Sequence, residues 1–103
     1  MADALSQGES RTPIDVQRLA RILAVLADPT RLRMIRLVAK RELSGIDIAE
    51  ALGISQALAC HHLAKLVDCG LIQRRREGVV KFGILDPRLL EQYLDQVRTL
   101  TGG

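Results

Sequence analysis

The amino-acid sequence predicts a mainly α (α+β) fold with about five helices and one two-stranded β-hairpin. Apolar residues recur at helical spacing in several segments, and these segments follow an Asp or Ser that can cap a helix. Residues 71–85 instead contain alternating apolar and polar residues beside a Glu-Gly turn, which is typical of a hairpin. A chain of 103 residues, of which 48% are hydrophobic, is long enough for one domain with its own core.

Composition limits the classes of function. The net charge of +3 is compatible with a polyanionic partner but does not require one. The two cysteines lie on one predicted helix and do not form a disulfide framework, so we expect a cytoplasmic protein. Because no signal peptide or membrane-spanning apolar run is visible, we expect no membrane partner. No phosphate-binding loop, Ser/His/Asp set or carboxylate pair indicates an enzyme.

The N-terminal region divides into a tail and a first helix. Residues 1–12 are polar and without periodicity, so we expect a disordered tail followed by one domain over residues 13–101. The first helix is predicted to begin between Pro13 and Asp15. Its apolar face comprises Val16, Leu19, Ala20, Ile22, Leu23 and Leu26.

A second helix is predicted over residues 30–40. Asp28 is a good cap, and Pro29 fits the first helical position. The residues expected to point inward are Leu32, Ile35 and Val38. The arginines expected in solvent, where they could contact phosphate, are Arg31, Arg33 and Arg36.

The stretch after residue 43 predicts two short helices joined by a tight turn. Ser44 can cap the first helix, and Asp47 three residues later completes a capping-box pattern. Gly53 ends this helix in a left-handed conformation that glycine adopts at little cost. A glycine-containing turn between two amphipathic helices indicates a helix-turn-helix, although an ordinary helical corner would show the same pattern.

The second helix of this pair is predicted over residues 56–69, with Ser55 as its cap. Its apolar face comprises Ala59, Leu63, Leu66 and Val67. The opposite face carries Gln56, Ala57, Cys60, His61 and Lys65. We expect this face, together with Ser55, to enter the major groove of DNA as a recognition helix does. His62 is expected to form a hydrogen bond near the edge of the core.

A basic hairpin follows the helix pair. Arg74, Arg75 and Arg76 precede the Glu-Gly turn, and Lys81 follows it. A lone hairpin is marginally stable in water, so this one must pack on the helices. The combination predicts a winged helix-turn-helix that binds double-stranded DNA, with these four residues as DNA contacts. The alternative is a winged-helix module that binds other proteins and not DNA.

Asp86 and Pro87 predict a last helix that extends to about residue 100. With the first helix, it offers more apolar surface than a small monomer needs, so we expect a homodimer. The residues expected at the dimer interface are Val16, Leu19, Leu23, Leu90, Tyr93, Leu94 and Val97.

The chain resembles the ArsR family of bacterial repressors (ArsR/SmtB) in three runs: LADPTRLRMIRLV at 26–38, ISQALACHHLAKLVDCGLI at 54–72 and RRREGVVKFGIL at 74–85. The resemblance implies a homodimeric repressor that pairs through its terminal helices, binds an operator and releases it when a small effector binds. The family's recognition helix reads close to SQSTVSHHL, whereas this chain reads SQALACHHL. Two hydroxyls are therefore missing from the usual reading edge, so the resemblance does not predict the operator sequence.

The same resemblance points to two usual metal sites. Metal sensors of the family often carry Glu-Leu-Cys-x-Cys-Asp before the turn, but here Ser44 and Ile46 replace both cysteines. Other relatives bind ions between their last helices through Asp/His and His/Glu pairs, and this last helix contains no histidine. We therefore expect no metal at either place and no cofactor, and we leave the small effector unidentified.

Cys60 and Cys69 leave one alternative open, a repressor that responds to a metal or to thiol oxidation. Nine helical residues separate the two thiols by about 13.5 Å along the axis and by about 900° of rotation, which places them on opposite sides. They are therefore not expected to share a metal or a disulfide within one intact helix.

Overall fold

The computed structural model describes residues 13–102, and this part of the chain contains five helices and three strands. The helices are α1 (Val16–Leu26), α2 (Pro29–Val38), α3 (Gly45–Leu52), α4 (Gln56–Asp68) and α5 (Pro87–Thr99). The strands are β1 (Leu43–Ser44), β2 (Ile72–Glu77) and β3 (Val80–Leu85). The predicted tail over residues 1–12 lies outside the described residues. None of the described helices is long and apolar enough to span a membrane.

Each helix begins after a residue whose side chain accepts a backbone hydrogen bond. These capping residues are Asp15, Asp28, Ser44, Ser55 and Asp86. The predicted caps of the last four helices are confirmed, with Pro29 and Pro87 in the first turns of α2 and α5. Pro13 lies before α1. Of the predicted capping box, the described residues show one bond, in which the amide of Asp47 donates to Ser44 Oγ at 3.1 Å.

The hairpin belongs to a three-stranded antiparallel sheet with the order β1-β3-β2. Leu43 of β1 lies opposite Gly83 of β3. The strand β1 was not predicted, because a strand of two residues is too short to show an alternating pattern. Glu77 lies opposite Val80, so the turn itself consists of Gly78 and Val79. The φ angle of Gly78 is 65°, which a glycine supplies readily at the first position of a two-residue hairpin turn.

The core lies between α2, α3, α4 and the sheet. Its largest fully buried side chains are Met34, Ile48, Leu66, Leu71 and Ile72. The prediction that Leu32 points inward is wrong, because this side chain is 52% exposed. α2 buries Met34 and Val38, which are four residues apart and therefore on one side of the helix.

The hairpin contacts α4 through its smallest residue. Gly83 is buried, and a Cβ atom there would lie 3.2 Å from Ile72 Cγ2 and 3.9 Å from Leu63 Cδ1. Residues opposite each other in an antiparallel pair share a face, so Leu43 and Arg74 are on this side of the sheet too. The absence of a side chain at Gly83 lets the sheet approach Leu63 of α4.

Candidate nucleic-acid interface

The helix-turn-helix consists of α3, the turn and α4. Gly53 ends α3 with a φ angle of 65°, as predicted. The α4 side chains buried against the rest of the chain are Ala59, His62, Leu63 and Leu66. The α4 residues on the predicted DNA-facing side, Gln56, Ala57, Cys60, His61 and Lys65, are all exposed. The helix therefore fixes one face in the core and presents the other to solvent.

Ser55 has a structural role at the start of this helix. Its Oγ accepts the amide hydrogen of Leu58 at 3.1 Å, which satisfies one of the unpaired donors of the first turn. Ser55 is also exposed, and it precedes the N-terminal end of α4. A recognition helix contacts DNA bases mainly through its N-terminal residues.

A cavity of about 450 Å³ separates α4 from the hairpin. Gln56 and Cys60 line it from α4, and Arg74 and Lys81 line it from the strands. Arg76 lies opposite Lys81, so it is on the same face of the hairpin. The structure thus brings two exposed residues of the recognition helix together with a group of cations.

Arg75 lies on the other face of the hairpin. Its guanidinium is 2.7 Å from Glu42 Oε1 and 3.1 Å from Glu77 Oε2, and it lies 4.9 Å from the centroid of the Phe82 ring. The hydrogen bonds to Glu42 and then to Glu77 raise the pKa of Arg75 above its ordinary value. These contacts connect β2 with the segment before β1, so the three consecutive arginines are not equivalent.

Lys65 lies toward the C-terminal end of α4. It lines a second cavity of about 280 Å³ with Arg18 and Arg21 of α1, and Cys69 lines this cavity too. The Cys69 thiol donates to the carbonyl of Leu66 at 3.4 Å. Because Cys60 lines the cavity beside the hairpin, the two thiols occupy different sides of the helix, as the rotation between them predicts.

His62 forms a hydrogen bond at the edge of the core, as predicted. The sequence did not predict that Arg31 is its partner. Arg31 Nε donates to His62 Nδ1 at 3.1 Å, and Arg31 Nη1 donates to the carbonyl of Val25 at 2.8 Å. The prediction that Arg31 lies in solvent is wrong, since this residue is half-buried. The sequence contained a signal for the contact between Arg31 and Val25. Pro29 has no N–H to donate to the carbonyl of Val25, four residues earlier in the chain, so another donor is needed there.

The residues of the terminal helices that were expected at a dimer interface fall into a buried group and a more accessible group. Leu19 and Tyr93 are only 2% and 3% exposed, because they are buried within the single chain. The Tyr93 hydroxyl also donates to the carbonyl of Cys69 at 3.0 Å. The remaining expected residues are half-buried or exposed: Val16, Leu23, Leu90, Leu94 and Val97. We therefore remove Leu19 and Tyr93 from the proposed contact set.

The two places where relatives hold metals do not fit a metal here. Ser44 Oγ accepts the amide hydrogen of Asp47, and the exposed Ile46 side chain has no ligand atom. In α5, Asp95 pairs with Arg98 at 3.4 Å, while Asp86 accepts hydrogen bonds from the backbone. Within residues 13–102, no group of three or more His, Cys, Asp or Glu side chains could hold an ion.

A glycine-linked helix pair, an adjoining antiparallel hairpin and an exposed recognition helix beside cations define a winged helix-turn-helix DNA-binding regulator. The family model "Bacterial regulatory protein, arsR family" matches residues 28–74. The "Arsenical resistance operon repressor" of Staphylococcus xylosus is 34% identical over 90 residues, which cover 84% of this chain and 86% of that protein. The chain belongs to the ArsR family of bacterial regulatory proteins. The predicted family and the predicted DNA-binding regulator are confirmed.

Other relatives agree with this assignment. The "Probable mercury resistance operon repressor" of Streptomyces lividans is 38% identical over 73 residues, which cover 70% of this chain but 58% of that protein. A homodimeric winged helix-turn-helix DNA-binding domain from Mycobacterium bovis has a TM-score of 0.70 at 29% identity, over 82% of this chain and 80% of that chain. An ArsR-like regulator from Rhodococcus sp. RHA1 has a TM-score of 0.77 at 22% identity, over 84% of this chain and 82% of that chain. The Rhodococcus structure supports the fold alone. Together these findings confirm the predicted winged helix-turn-helix.

Proposed function

We propose that this regulator is a homodimeric repressor that binds a double-stranded DNA operator through α4 and the hairpin. The observation that carries the proposal is the cavity in which Gln56 and Cys60 of α4 face Arg74 and Lys81 of the hairpin. This arrangement places a side chain that can read base edges beside cations that can contact phosphates. A bacterial operator is in the cytoplasm, which agrees with the predicted location.

The exposed face of α4 supplies base recognition. The amide of Gln56 can pair with the edge of an adenine, and His61 can reach a guanine. Ala57 and Cys60, which lie between them on the same face, contact the groove without a charge. Ser55 approaches the DNA at the end of the helix while its hydroxyl caps the backbone.

The cations supply affinity that is independent of sequence. Arg74, Arg76 and Lys81 share the face of the hairpin that is turned toward α4, and we assign them to phosphate contacts. Lys65 can contact a phosphate farther along the helix. Arg75, which the sequence grouped with the other arginines, instead holds β2 to the segment before β1 through Glu42.

A second copy of the chain completes both the fold and the DNA contact. Val16 and Leu94 are 60% and 49% exposed on the terminal helices, so a dimer would remove apolar surface from water. A two-fold dimer also places two recognition helices about 34 Å apart, which matches successive major grooves on one side of the DNA. The Mycobacterium bovis relative, which is a homodimer, supports this assembly.

The effector that releases the operator is not a metal at either usual family position. Protein sites bind Zn²⁺ through about four ligands, which are cysteine sulfur, histidine nitrogen or carboxylate oxygen atoms. Neither position supplies such a set. A metal- or thiol-responsive repressor using Cys60 or Cys69 remains the alternative. A repressor titrated with Zn²⁺, Cd²⁺, Ni²⁺ and arsenite should keep its operator, and release by any of them would contradict the proposal. Release that disappears in a Cys60→Ser/Cys69→Ser variant would assign sensing to these thiols.

Selection of bound sequences from random double-stranded DNA tests the proposal directly. The wild-type chain should enrich a two-fold symmetric site, and sedimentation should give about twice the chain mass of 11.4 kDa before DNA is added. Occupation of the enriched site within a promoter should then block transcription in vitro. A chain that enriches no sequence and shows no salt-sensitive binding to DNA would favour the protein-interaction module.

A matched pair of glutamine variants tests the reading face. Gln56→Ala should weaken binding to the selected site by about 1–3 kcal/mol and leave binding to random DNA nearly unchanged. Gln73→Ala is the control, because Gln73 is equally an exposed glutamine but lies on the hairpin. Equal losses on selected and random DNA in Gln56→Ala would show that α4 does not read bases through this residue.

A further inference from the structure

One guanidinium connects three helices at the edge of the core. Arg31, near the start of α2, donates through Nη1 to the carbonyl of Val25 in the last turn of α1, at 2.8 Å. It donates through Nε to Nδ1 of His62 in α4, at 3.1 Å. Asp28 fixes the same segment, since its carboxylate accepts the amide hydrogens of Thr30 and Arg31. The end of α1 and the recognition helix are therefore bonded to the same side chain.

The local sequence creates the need for this side chain. Val25 lies in the last turn of α1, where helical carbonyls have no intrahelical donor, and the residue four positions later is Pro29, which has no N–H to offer. The carbonyl therefore has no backbone donor at that position. Arg31 supplies the missing hydrogen, and a cation at the C-terminal end of a helix also interacts favourably with the helix dipole.

The contact with His62 fixes the state of the imidazole. A guanidinium N–H can only donate, so Nδ1 carries a lone pair and the proton of the neutral ring is on Nε2. His62 is 8% exposed, while the neighbouring His61 is exposed, with a distance of 5.4 Å between the ring centroids. The two histidines thus lie on the buried and exposed sides of one helical turn.

We infer that Arg31 is a positioning residue for DNA recognition, which sets the orientation of α4 through His62 and couples it to the end of α1. This inference rests on the proposed function, because α4 is the helix assigned to the major groove. Binding groups must be held to within about 0.5 Å of their productive geometry, and a hydrogen bond to the buried side of α4 restrains its rotation. Loss of the bond should therefore reduce recognition of the operator more than contact with random DNA.

Two substitutions at His62 separate acceptor chemistry from packing. In His62→Asn, the amide oxygen can occupy the place of Nδ1, so operator affinity should stay within about threefold of wild type. In His62→Leu, the acceptor is lost, and operator affinity should fall by about tenfold while affinity for random DNA changes little. Both affinities are measured where circular dichroism shows the variants to be folded. Equal affinities for the operator in His62→Leu and wild type would overturn the inference.

Arg31→Met and Arg33→Met form a matched pair for the state of the His62 ring, because both remove an arginine of α2 but Arg33 is exposed. Arg31→Met should lower operator affinity by about tenfold, and the double variant Arg31→Met/His62→Leu should lose little more than either single variant. Losses that multiply to about 100-fold would show that the two residues act independently and would contradict the inference.

Nitrogen NMR of ring-labelled histidine provides a readout that a general loss of stability would not change. The chain contains only two histidines, so a His61→Ala variant assigns the His62 ring. Arg31→Met should shift the Nδ1 resonance of His62, and Arg33→Met should not. An unchanged resonance in Arg31→Met would show that the bond is absent in solution. Failure of the wild-type chain to enrich any DNA would instead count against the proposed function, because the NMR result does not depend on DNA.

Discussion

The helix-turn-helix and the terminal helices bury their apolar residues in different ways. The helix-turn-helix packs with α2 and the sheet into the core, where Met34, Ile48 and Leu66 have no exposed surface, and Ile22 of α1 and Tyr93 of α5 are buried in the same cluster. The terminal helices α1 and α5 contribute few residues to that core, and they leave Val16 60% exposed and Leu94 49% exposed. The first region is complete within one chain, and the second becomes complete in the proposed dimer.

The proposed function therefore assigns DNA recognition and assembly to separate parts of the molecule. A substitution in the core should lower the free energy of unfolding of the chain, and one on the terminal helices should separate subunits that remain folded. Arg31 lies where the two parts meet, since it bonds to the end of α1 and to α4.

The largest effect is expected from a charge on the terminal helices. Leu94→Asp should dissociate the dimer and lower operator affinity by at least about 100-fold, because an uncompensated buried charge costs several kcal/mol. Sedimentation and operator binding measure the two effects. Leu32→Asp is the control, because Leu32 is 52% exposed, close to the 49% of Leu94, but lies on α2. Dissociation by both variants would contradict the assignment of the interface.

A cavity in the core should produce the next largest effect. Met34 has no exposed surface, so Met34→Ala should lower the free energy of unfolding by about 2–5 kcal/mol. Leu32→Ala on the same helix should change it by less than about 0.5 kcal/mol. Urea titration followed by circular dichroism compares the two variants. Similar losses would show that the structure assigns the buried face of α2 incorrectly.

The two faces of the hairpin should respond differently to loss of charge. Lys81→Ala removes a proposed phosphate contact, so the slope of log affinity against log salt should fall by about 0.9. Arg75→Ala should leave this slope nearly unchanged, because Arg75 is bonded to Glu42 and Glu77 on the other face. Binding to random DNA at several salt concentrations gives both slopes. A reduction of equal size in Arg75→Ala would return Arg75 to the phosphate contacts.

The smallest effect is expected at the cap of α2. The amide of Arg31, and next the amide of Thr30, hold the pKa of Asp28 below its ordinary value of 3.8, against an opposing contribution from burial. A lowered folded-state pKa gives stability that is present above the unfolded value and is lost as the pH falls through the folded value. Asp28→Asn keeps a capping side chain but cannot lose this charge.

Thermal unfolding between about pH 5 and about pH 3 measures the difference, over the range in which the carboxylate gains its proton. The melting temperature of wild type should fall more than that of Asp28→Asn, while the other carboxyl groups contribute equally to both chains. Parallel decreases in the two chains would show that the cap does not depend on the charge of Asp28.

Local chemistry explains which elements the sequence could predict. Four helix starts are marked by a capping side chain that bonds to an amide within three residues, so tertiary contacts are not needed to find them. The markers are Asp28 with Pro29, Ser44, Ser55, and Asp86 with Pro87. The exposed residues of α4 also followed from helical periodicity. By contrast, the apolar residues of α2 spread over roughly 220° of the helix at 100° per residue, so periodicity alone selected Leu32 in place of Met34.

The order of the helices, the glycine turn at Gly53 and the basic hairpin could be predicted, because each depends on neighbours along the chain. Strand pairing was needed to show that Arg74 and Lys81 face α4 while Arg75 pairs with Glu42, since the pleat of a strand alternates its faces and the register fixes them. Tertiary contacts were also needed to show that Arg31 reaches His62, 31 residues later. A contact between residues so far apart in sequence depends on how helices pack, which no local pattern records.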